Sequence, residues 1–286
     1  EGSAMADALG PDRVVLGVIE GEEAGAGLME ELYRPFSAPV LFTSLEGAEL
    51  VKLASNALLA IKVAFANEVA NVAASVGADG YQVLEGVGMD HRLGPHFLRA
   101  GAGFGGSCFP KDLRALVGFA DSLGTPALMP AAALEQNRVQ PGVIAAMARL
   151  ALGGDVAGRR VTLLGLAFKP DTDDVRETRA LPIYRQLVEW GAHVVVHDPQ
   201  ASANFVALAE EEGLPPPQVE KDLDMALSGS ELAVVQTEWA EYRTLEPGRI
   251  VSAMARPVVV DARRALDPEE MERGGVTYLG VGLPQP

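Results

Sequence analysis

The C-terminal part of the chain alternates short apolar runs with stretches of helical periodicity. The apolar runs predict strands at 161–164, 194–197, 232–236 and 258–261, with a last strand at 277–280. The intervening stretches predict helices at 180–190, 203–212 and 268–273. Nearly continuous apolar strands that alternate with helices are typical of a parallel sheet covered on both faces. The pattern therefore predicts an α/β domain with a doubly wound, Rossmann-like parallel sheet.

A long apolar segment without proline precedes this domain, at 45–76. As one continuous helix it would extend about 48 Å at 1.5 Å per residue. Apolar residues occupy most of its circumference, which indicates burial on more than one side. Charged and amide side chains such as Glu49 and Asn67 interrupt the apolar surface, so the helix does not face lipid. A helix of this length usually links domains or packs against a partner chain.

Shorter elements lie on both sides of this helix. Two strands and a helix are predicted before it, at 14–18, 40–42 and 22–36, and they are too few to close a core alone. Three helices are predicted after it, at 81–87, 112–123 and 129–152, the last kinked at Pro141. A glycine-punctuated loop occupies 88–106, and turn residues at 153–155 mark a boundary. The chain is thus divided into domains at 1–44, 45–153 and 154–286, the central one all-helical.

Composition and charge exclude several classes of protein. The 286 residues contain 23 Lys and Arg against 39 Asp and Glu, a formal net charge of −16. So acidic a chain is not expected to bind nucleic acid or an anionic membrane. The single cysteine excludes an intrachain disulfide and a zinc site with several thiolates, and we predict no metal site. We expect no secretion signal, no membrane span and a cytoplasmic location.

The single cysteine, Cys108, has neighbours that predict chemistry. Taken alone, a lone cysteine is usually a small buried hydrophobic residue. The preceding segment 101–107 contains four glycines, which let a backbone approach a ligand closely. Lys111 places a cation near the sulfur, and we expect Asp112 to cap the following helix, whose N-terminus favours a thiolate. These conditions activate a nucleophilic cysteine. The glycine spacing does not follow a strand, so it is not a dinucleotide fingerprint.

Lys52 and Asn56 lie four residues apart on the long helix, so they share one face. A solvated face would explain such a pair. Both nevertheless lie in an otherwise apolar stretch, and the chain has only five lysines. Three of these lysines belong to the segments that carry candidate chemistry. In so acidic a chain, this placement indicates a site for an anionic ligand.

A third candidate segment, 165–177, follows the first strand of the C-terminal sheet, where open α/β sheets bind ligands. It lacks G-x-G-x-x-G, so this sheet is not a standard dinucleotide binder. Lys169 and Arg176 suit a phosphate or a charged partner loop. A surface loop with internal Lys–Asp pairs is the alternative. Asp198 ends the next strand, where a dinucleotide fold has its ribose-binding acid, but without the fingerprint we do not assign that role.

Together these segments resemble the nucleotide-sugar 6-dehydrogenases, the UDP-glucose/GDP-mannose dehydrogenase family, and most closely its UDP-glucose branch. The resemblance lies in four stretches, at 48–56, 103–112, 165–177 and 237–239. They occur in the family's order and span nearly the whole chain. The string Gly-Phe-Gly-Gly-Ser-Cys-Phe-Pro-Lys-Asp at 103–112 is specific for the family.

The resemblance implies a four-electron oxidation of UDP-glucose to UDP-glucuronate, with NAD as the oxidant. The cysteine that matches Cys108 attacks the aldehyde carbon at C6 and forms a thiohemiacetal and then a thioester, which water hydrolyses. The residues that match Lys52 and Asn56 stabilise oxyanion charge and hold the catalytic water. The aspartate that matches Asp112 assists water activation. Glu1 falls at the position of a catalytic-water glutamate.

Binding residues follow from the same resemblance. The loop that wraps the sugar nucleotide is matched by Phe97, Arg99, Phe104 and Gly105. The nucleotide-contacting positions of the C-terminal domain are matched by Phe168, Lys169 and Arg263. Lys111 and Arg176 match residues near NAD, and Arg92 matches an arginine that reaches a neighbouring subunit's substrate. The family has a homodimer core at the helix 45–76. Arg99 stands where lysine is common, and Ala262 where glycine is common.

The family begins with an NAD-binding Rossmann domain that contains a true G-x-G-x-x-G, and this chain resembles the family only from near the end of that domain. Segment 1–44 would then be the remnant of that NAD-binding domain. NAD would be bound mainly by the part of the domain that this chain does not match, so we expect the chain alone to be inactive. A non-catalytic module for nucleotide-sugar binding and dimerisation is the alternative. A two-electron hydroxyacid dehydrogenase is disfavoured, because it needs no thiol. GDP-mannose and UDP-N-acetylhexosamines remain alternative substrates, although the residues flanking Cys108 favour UDP-glucose.

Overall fold

A computed structural model of the protein describes residues 4–21 and 23–284. Its internal contacts divide the chain into two compact units, 1–58 and 59–286. The division falls inside the long helix, fourteen residues after the boundary predicted between the first two domains. The three-domain division from the sequence stays a prediction.

The first unit contains a two-stranded parallel sheet. Its elements are helix α1 (Ala4–Leu9), strand β1 (Val14–Gly17), helix α2 (Glu23–Tyr33), a 3-10 turn (Arg34–Phe36) and strand β2 (Val40–Thr43). β1 and β2 are in register from Val14 opposite Val40 to Gly17 opposite Thr43. Val14 is buried, whereas Leu28, Leu32 and Leu41 are more than half exposed. So small a sheet covers little of its own apolar surface.

The long helix α3 spans Leu45–Ser75, as the apolar pattern predicts. By length and composition alone it is apolar enough to cross a membrane, with 39% of its most apolar window buried inside the structure. Core helices of globular proteins meet the same criterion. In the second unit, α3 buries Ala60, Ala66 and Ala70 completely, together with the amide side chain of Asn67. The second half of α3 is therefore part of a protein core.

Three further helices follow, at α4 (Gly80–Gly88), α5 (Phe109–Ser122) and α6 (Leu128–Ala151). Asp79 caps α4, since its side chain accepts the backbone N–H of Tyr81 at 2.8 Å. Pro141 lies inside α6, which is helical on both sides of it. These helices confirm the helical character predicted for the centre of the chain.

The C-terminal part is a six-stranded parallel sheet. Its strands are β3 (Arg160–Leu164), β4 (His193–His197), β5 (Gln218–Val219), β6 (Leu232–Val235), β7 (Val258–Asp261) and β8 (Thr277–Gly280). The strand order is β5-β4-β3-β6-β7-β8. The chain thus runs outward from β3 in one direction and from β6 in the other, the doubly wound arrangement that the sequence predicts. The switch of direction lies between β3 and β6.

Helices connect the strands. They are α7 (Ala180–Glu189), α8 (Ser202–Glu211), α9 (Leu223–Leu227), α10 (Ala240–Arg243), α11 (Pro247–Ala253) and α12 (Pro268–Arg273). Strand β5 and helices α1, α9, α10 and α11 were not predicted from the sequence.

One core joins the sheet to the central helices. Leu163, Val196, Val234 and Val260 are completely buried in the sheet, and Ile144 of α6 belongs to the same cluster. Close-packed residues of this kind hold their neighbours rigidly. The loops at the carboxyl ends of the strands and the loop before α5 are therefore anchored to one framework.

Candidate active site

Cys108 lies immediately before α5, and its side chain is exposed. Its carbonyl accepts the backbone N–H of Asp112 at 2.9 Å, which closes the first turn. The predicted capping by Asp112 is wrong, because the helix begins at Phe109 and Asp112 lies within its first turn. Pro110 favours the earlier start, since its fixed φ suits a first turn and it has no N–H to leave unpaired.

An ion pair lies next to the thiol. Lys111 Nζ is 2.8 Å from Asp112 Oδ1, and the Asp112 side chain is almost buried while Lys111 is exposed. The hydrogen bond and then the charge of Asp112 raise the pKa of Lys111, with a smaller contribution from Cys108. Lys111, the cation that the sequence predicts near the sulfur, is therefore also paired with the carboxylate of Asp112 in the first turn of α5.

The loop before Cys108 lies against the segment that follows β3. The backbone N–H of Gly106 donates to the carbonyl of Arg176 at 2.9 Å. Gly106 has a φ of +82°, and a Cβ there would lie 2.8 Å from the ring of Phe168. A Cβ on Gly105 would collide with the carbonyl of Glu177. At these two positions the missing side chain leaves room for other atoms of the protein. The loop before Cys108 therefore packs closely against Phe168.

Three buried amide side chains fix the same loop. Asn137 accepts the backbone N–H of Phe104 at 2.7 Å and donates to its carbonyl at 2.9 Å. Asn67 accepts the N–H of Gly101 at 2.7 Å, and Gln140 donates to the carbonyl of Gly101 at 2.9 Å. The sequence reasoning missed these roles. The available signal was an amide on the buried face of an otherwise apolar helix, where a partner is required.

A carboxylate organises the turn after β3. Asp198 Oδ2 accepts the backbone N–H of Leu166 at 2.7 Å and that of Ala167 at 3.2 Å. The hydroxyls of Thr178 and Thr237 donate to the carbonyls of Leu166 and Ala167, each at 2.6 Å. The backbone of this turn is therefore held by side chains from three other segments. The carboxylate of Asp198 therefore accepts hydrogen bonds from N–H groups of the protein itself at the end of the strand.

Phe168 and Lys169, the predicted nucleotide-contacting residues, follow this turn and are half-buried. The ammonium of Lys169 lies 5.7 Å from the centre of the Phe168 ring, within cation–π range. The backbone N–H of Phe168 donates to the carbonyl of Asp174 at 3.1 Å. A cation and an aromatic face are thus presented together at the edge where this sheet changes direction.

Arg263 follows the strand β7 at the same edge. Its backbone N–H donates to Asp261 at 2.9 Å, and its Nε donates to the carbonyl of Gln236 at 2.6 Å. Glu238 lies 3.5 Å from the same Nε. Burial raises the pKa of Asp261, although backbone N–H groups, first that of Leu266, oppose this shift. Asp261 therefore orients the strand-end loop that contains Arg263.

A cavity of about 270 Å³ adjoins Arg263. Its lining side chains include Tyr81, Arg99, Glu238, Arg243, Arg263 and Arg264. The structure thus brings together two residues that the resemblance links to the sugar nucleotide, Arg99 and Arg263. Four guanidinium groups around one cavity, in a chain of net charge −16, indicate a site for an anion.

A second cavity, of about 510 Å³, adjoins Ser107. Lys111 and Arg176, the two residues predicted near NAD, both line it, together with Arg114 and Arg179. Arg176 is paired with Asp174 at 2.7 Å, and Arg179 with Glu177 at 3.3 Å. The two predicted cofactor residues therefore share one cationic surface next to the thiol loop.

Phenylalanines surround the start of α5. The rings of Phe97 and Phe104 lie 6.2 and 6.0 Å from that of Phe109. Phe97 has a φ of +63° and is 43% exposed, whereas Phe104 is buried.

Arg92, the predicted inter-subunit residue, is exposed and donates to Asp90 at 3.0 Å, which lowers the pKa of that carboxyl.

The other three predicted catalytic residues are not among the described residues of the second unit. Lys52 and Asn56 belong to the first unit, on the N-terminal half of α3, with Lys52 exposed and Asn56 half-buried. Glu1 lies outside the described residues. The roles of these three residues stay predictions from the resemblance.

Known proteins share this combination of domains. A model of the central domain of the UDP-glucose/GDP-mannose dehydrogenase family matches residues 46–139, and a model of that family's UDP binding domain matches residues 162–268. The chain belongs to this family. The central-domain match includes Lys52, Asn56 and Cys108, and the UDP-binding match includes Lys169 and Arg263.

Relatives in the UDP-glucose/GDP-mannose dehydrogenase family match 99% of the chain. The chain is 41% identical over 286 residues to UDP-glucose 6-dehydrogenase TuaD of Bacillus subtilis, and it covers 60% of that protein. It is 38% identical to UDP-glucose 6-dehydrogenase of Rhizobium meliloti, of which it covers 64%. The chain therefore spans about three fifths of the length of these relatives.

Solved structures of the family have the same fold. A UDP-glucose dehydrogenase from Pyrobaculum islandicum superposes with a TM-score of 0.86 at 40% identity, over 99% of this chain and 61% of the other. A UDP-D-ManNAc dehydrogenase from Pyrococcus horikoshii superposes with a TM-score of 0.82 at 25% identity, over 98% and 62%.

Proposed function

We propose that this chain is the thiol-bearing and nucleotide-sugar-binding part of an enzyme that oxidises UDP-glucose to UDP-glucuronate. One observation supports this most directly. The exposed thiol of Cys108 begins a helix of the central domain, and the loop before it packs against Phe168 of the UDP binding domain. A nucleotide held on that turn would place its sugar on the thiol side of the same loop.

The proposed chemistry uses Cys108 as a covalent nucleophile. Oxidation of the C6 alcohol gives an aldehyde, and the thiolate adds to the aldehyde carbon while the carbonyl oxygen gains a proton. The resulting thiohemiacetal loses a hydride and a proton and becomes a thioester. Water then attacks the thioester carbon, the C–S bond breaks, and the thiol and a carboxylate are released.

In this proposal, other side chains stabilise negative charge on the reacting oxygen and position the attacking water. By resemblance, Lys52 and Asn56 stabilise the oxygen anion of the tetrahedral species, and Asn56 and Glu1 hold the attacking water. Asp112 is almost buried in the first turn of α5 and assists the removal of a proton from that water. Its ion pair with Lys111 holds the carboxylate in place.

The nucleotide-sugar contacts are proposed at the edge where the sheet changes direction. Lys169, Arg99 and Arg263 would bind the diphosphate, and Phe168 would pack against the nucleotide. Phe97, Phe104 and Gly105 would shape the sugar end of the site. UDP-N-acetylhexosamines are the competing substrates, because a 25% identical relative is named as a UDP-D-ManNAc dehydrogenase.

NAD is the proposed oxidant, and when bound it accepts the hydride in each oxidation. The cavity next to Ser107 fits part of such a dinucleotide, because Lys111 and Arg176 offer cationic groups beside the thiol loop. Among residues 4–21 and 23–284, no strand is followed by G-x-G-x-x-G, the usual pyrophosphate cradle. We therefore propose that the 286-residue chain alone binds nucleotide sugar but does not turn it over.

The assembly and the compartment are also proposals. An apolar cavity of about 360 Å³ along α3 is lined by Phe65, Val72, Val76 and Val83. We propose that a second copy of the chain covers this surface, in a homodimer that brings Arg92 to the partner's substrate. A catalytic thiol must stay reduced, which favours the cytoplasm.

Calorimetry on the 286-residue chain tests the binding half of the proposal. UDP should bind more tightly than inorganic pyrophosphate, since the base and ribose add contacts, and GDP should bind more weakly than UDP. NAD should show little affinity, and no NADH should form. UDP that binds no better than pyrophosphate would overturn the assignment of the nucleotide site.

Alkylation of Cys108 tests the catalytic half. Iodoacetamide should label this exposed thiol in the folded chain. UDP-glucose should slow the labelling, because its C6 would cover the sulfur, whereas UDP alone, which lacks the sugar, should not. Equal rates with and without UDP-glucose would remove Cys108 from the sugar site.

A further inference from the structure

The hydroxyl of Tyr81 connects two loops that come from different parts of the fold. It donates to the carbonyl of Ala100 at 2.7 Å, and it lies 3.2 Å from the carbonyl of Arg263. Ala100 directly follows Arg99 in the loop before α5, and Arg263 belongs to the strand-end loop after β7. One phenol therefore meets the backbone of both arginine-bearing loops.

The ring of Tyr81 is itself fixed in place. The guanidinium of Arg264 lies over it at 4.7 Å from the ring centre. Arg264 donates to both carboxylate oxygens of Asp79, each at 3.1 Å, and both side chains of this pair are largely buried. Asp79 in turn caps α4, the helix that begins with Gly80 and Tyr81. The ring of Tyr81 is thus held in place by the bidentate Arg264–Asp79 ion pair and by the capped first turn of α4.

The fixed ring of Tyr81 lies beside a cluster of positively charged side chains. Tyr81 lines the cavity of about 270 Å³ together with Arg99, Arg243, Arg263 and Arg264. Asp79 pairs with Arg264 and Glu238 lies beside Arg263. Neither Arg99 nor Arg243 has a carboxylate partner among residues 4–21 and 23–284, so these two positive charges stay without compensation until an anion binds. Without a fixed connection, the two loops could move apart and spread the guanidinium groups.

The phenol remains a donor over the whole working range of pH. Burial raises the pKa of Tyr81 to about 12, against the lowering effect of the nearby Arg99. The bond to the Ala100 carbonyl therefore persists at neutral pH and well above it. A hydroxyl that ionised nearer to neutrality would lose its proton and repel both carbonyls.

We propose that Tyr81 is a positioning residue of the nucleotide-sugar site, which sets the spacing between Arg99 and Arg263 so that both meet one diphosphate. Tyr81 is not assigned a contact with the ligand. This inference rests on the proposed function, since it presumes that the anion in the cavity is the diphosphate of a nucleotide sugar. Preorganisation of this kind increases affinity because the ligand does not have to order the site.

Tyr81→Phe removes only the oxygen, and Tyr184→Phe is its matched control. The Tyr184 hydroxyl also donates to a carbonyl at 2.7 Å, that of Pro215, but Tyr184 does not line the arginine cavity. Both variants should lower the temperature of unfolding to a similar extent. At 20 °C, far below both transitions, Tyr81→Phe should bind UDP about fivefold more weakly, and Tyr184→Phe should bind it as the unchanged chain does.

The outcomes separate this inference from the function on which it rests. If the unchanged chain binds UDP and Tyr81→Phe binds it equally well, the positioning role is wrong and the proposed function stands. Equal losses in both variants would show that any lost hydroxyl weakens binding, which also overturns the role. If the unchanged chain does not bind UDP, the proposed function fails and the inference fails with it.

Discussion

The carboxylate of Asp198 accepts the indole N–H of Trp239 at 3.0 Å. Both side chains are buried, and the same carboxylate oxygen accepts the backbone N–H of Leu166. Two stretches of the family resemblance, 165–177 and 237–239, therefore meet on one carboxylate. In a dinucleotide-binding sheet an acid at this position binds ribose. In this protein it holds the turn that presents Phe168 and Lys169.

Asp198→Asn should destabilise the fold by about 2–4 kcal/mol, because an amide N–H₂ group would replace an oxygen that accepts buried donors. Unfolding in denaturant measures the change. Asp155→Asn is the control, since Asp155 accepts one exposed backbone N–H, that of Ala157 at 2.9 Å. Its effect should stay within about 0.5–1 kcal/mol. Equal effects of the two substitutions would contradict the structural role of Asp198.

Gly106→Ala should cost about 2 kcal/mol or more, because alanine is strained at a φ of +82° and its Cβ would press on the ring of Phe168. Gly118→Ala is a matched control inside α5, where no atom lies within 4 Å of the added carbon. It should stabilise the protein by about 0.5–1 kcal/mol. Thermal unfolding of the two variants should thus shift in opposite directions, and a stabilising Gly106→Ala would refute the close packing.

Lys169→Ala should weaken UDP binding about tenfold, because an ammonium at this edge would contact a phosphate. Lys221→Ala removes an exposed lysine that follows β5 and does not belong to the turn after β3, and it should leave the dissociation constant unchanged. Calorimetry on both variants in the same buffer decides the question. An unchanged affinity for Lys169→Ala would place the nucleotide elsewhere.

Val72→Asp should dissociate the proposed homodimer, because a carboxylate would be buried against the second copy of α3. Val72 is 61% exposed in the single chain. Leu123→Asp is the control, since Leu123 is 64% exposed but lies at the end of α5, away from the apolar cavity. Sedimentation velocity at micromolar concentration should show a dimer for the unchanged chain and for Leu123→Asp, and a monomer for Val72→Asp. A monomeric unchanged chain would rule out the dimer.

The raised pKa of Tyr81 predicts a loss of stability in alkali. The usual pKa is 10.0 and that of the folded protein is about 12. Below pH 10 both states are protonated, so the contribution is complete there. Between pH 10 and 12 the unfolded chain loses its proton first, so the contribution falls, by up to about 3 kcal/mol. Tyr81→Phe should lack this part of the decline, and denaturant unfolding at pH 9 and pH 11.5 measures it. Parallel declines would contradict the shift.

The loop that leads to Cys108 shows where inference from the sequence ended. Cys108, its glycines and Lys111 could be singled out, because their chemistry depends on residue type and local spacing. The helix start at Phe109 was missed because Asp112 is a common cap, which placed the predicted start three residues too late. The three amides that hold the loop, Asn67, Asn137 and Gln140, lie up to about forty residues away in the chain. Their partners are backbone groups, which carry no signal in a sequence.

The sequence by itself determined the parallel α/β sheet, the long helix, the family resemblance and the position of the thiol. Those features follow from periodicity over many residues and from one specific string. Only the tertiary structure decided which groups surround the anion cavity and what Asp198, Tyr81 and Trp239 do. Such roles depend on contacts between segments far apart in the chain, because a buried polar group takes whichever partner the fold brings within hydrogen-bond distance.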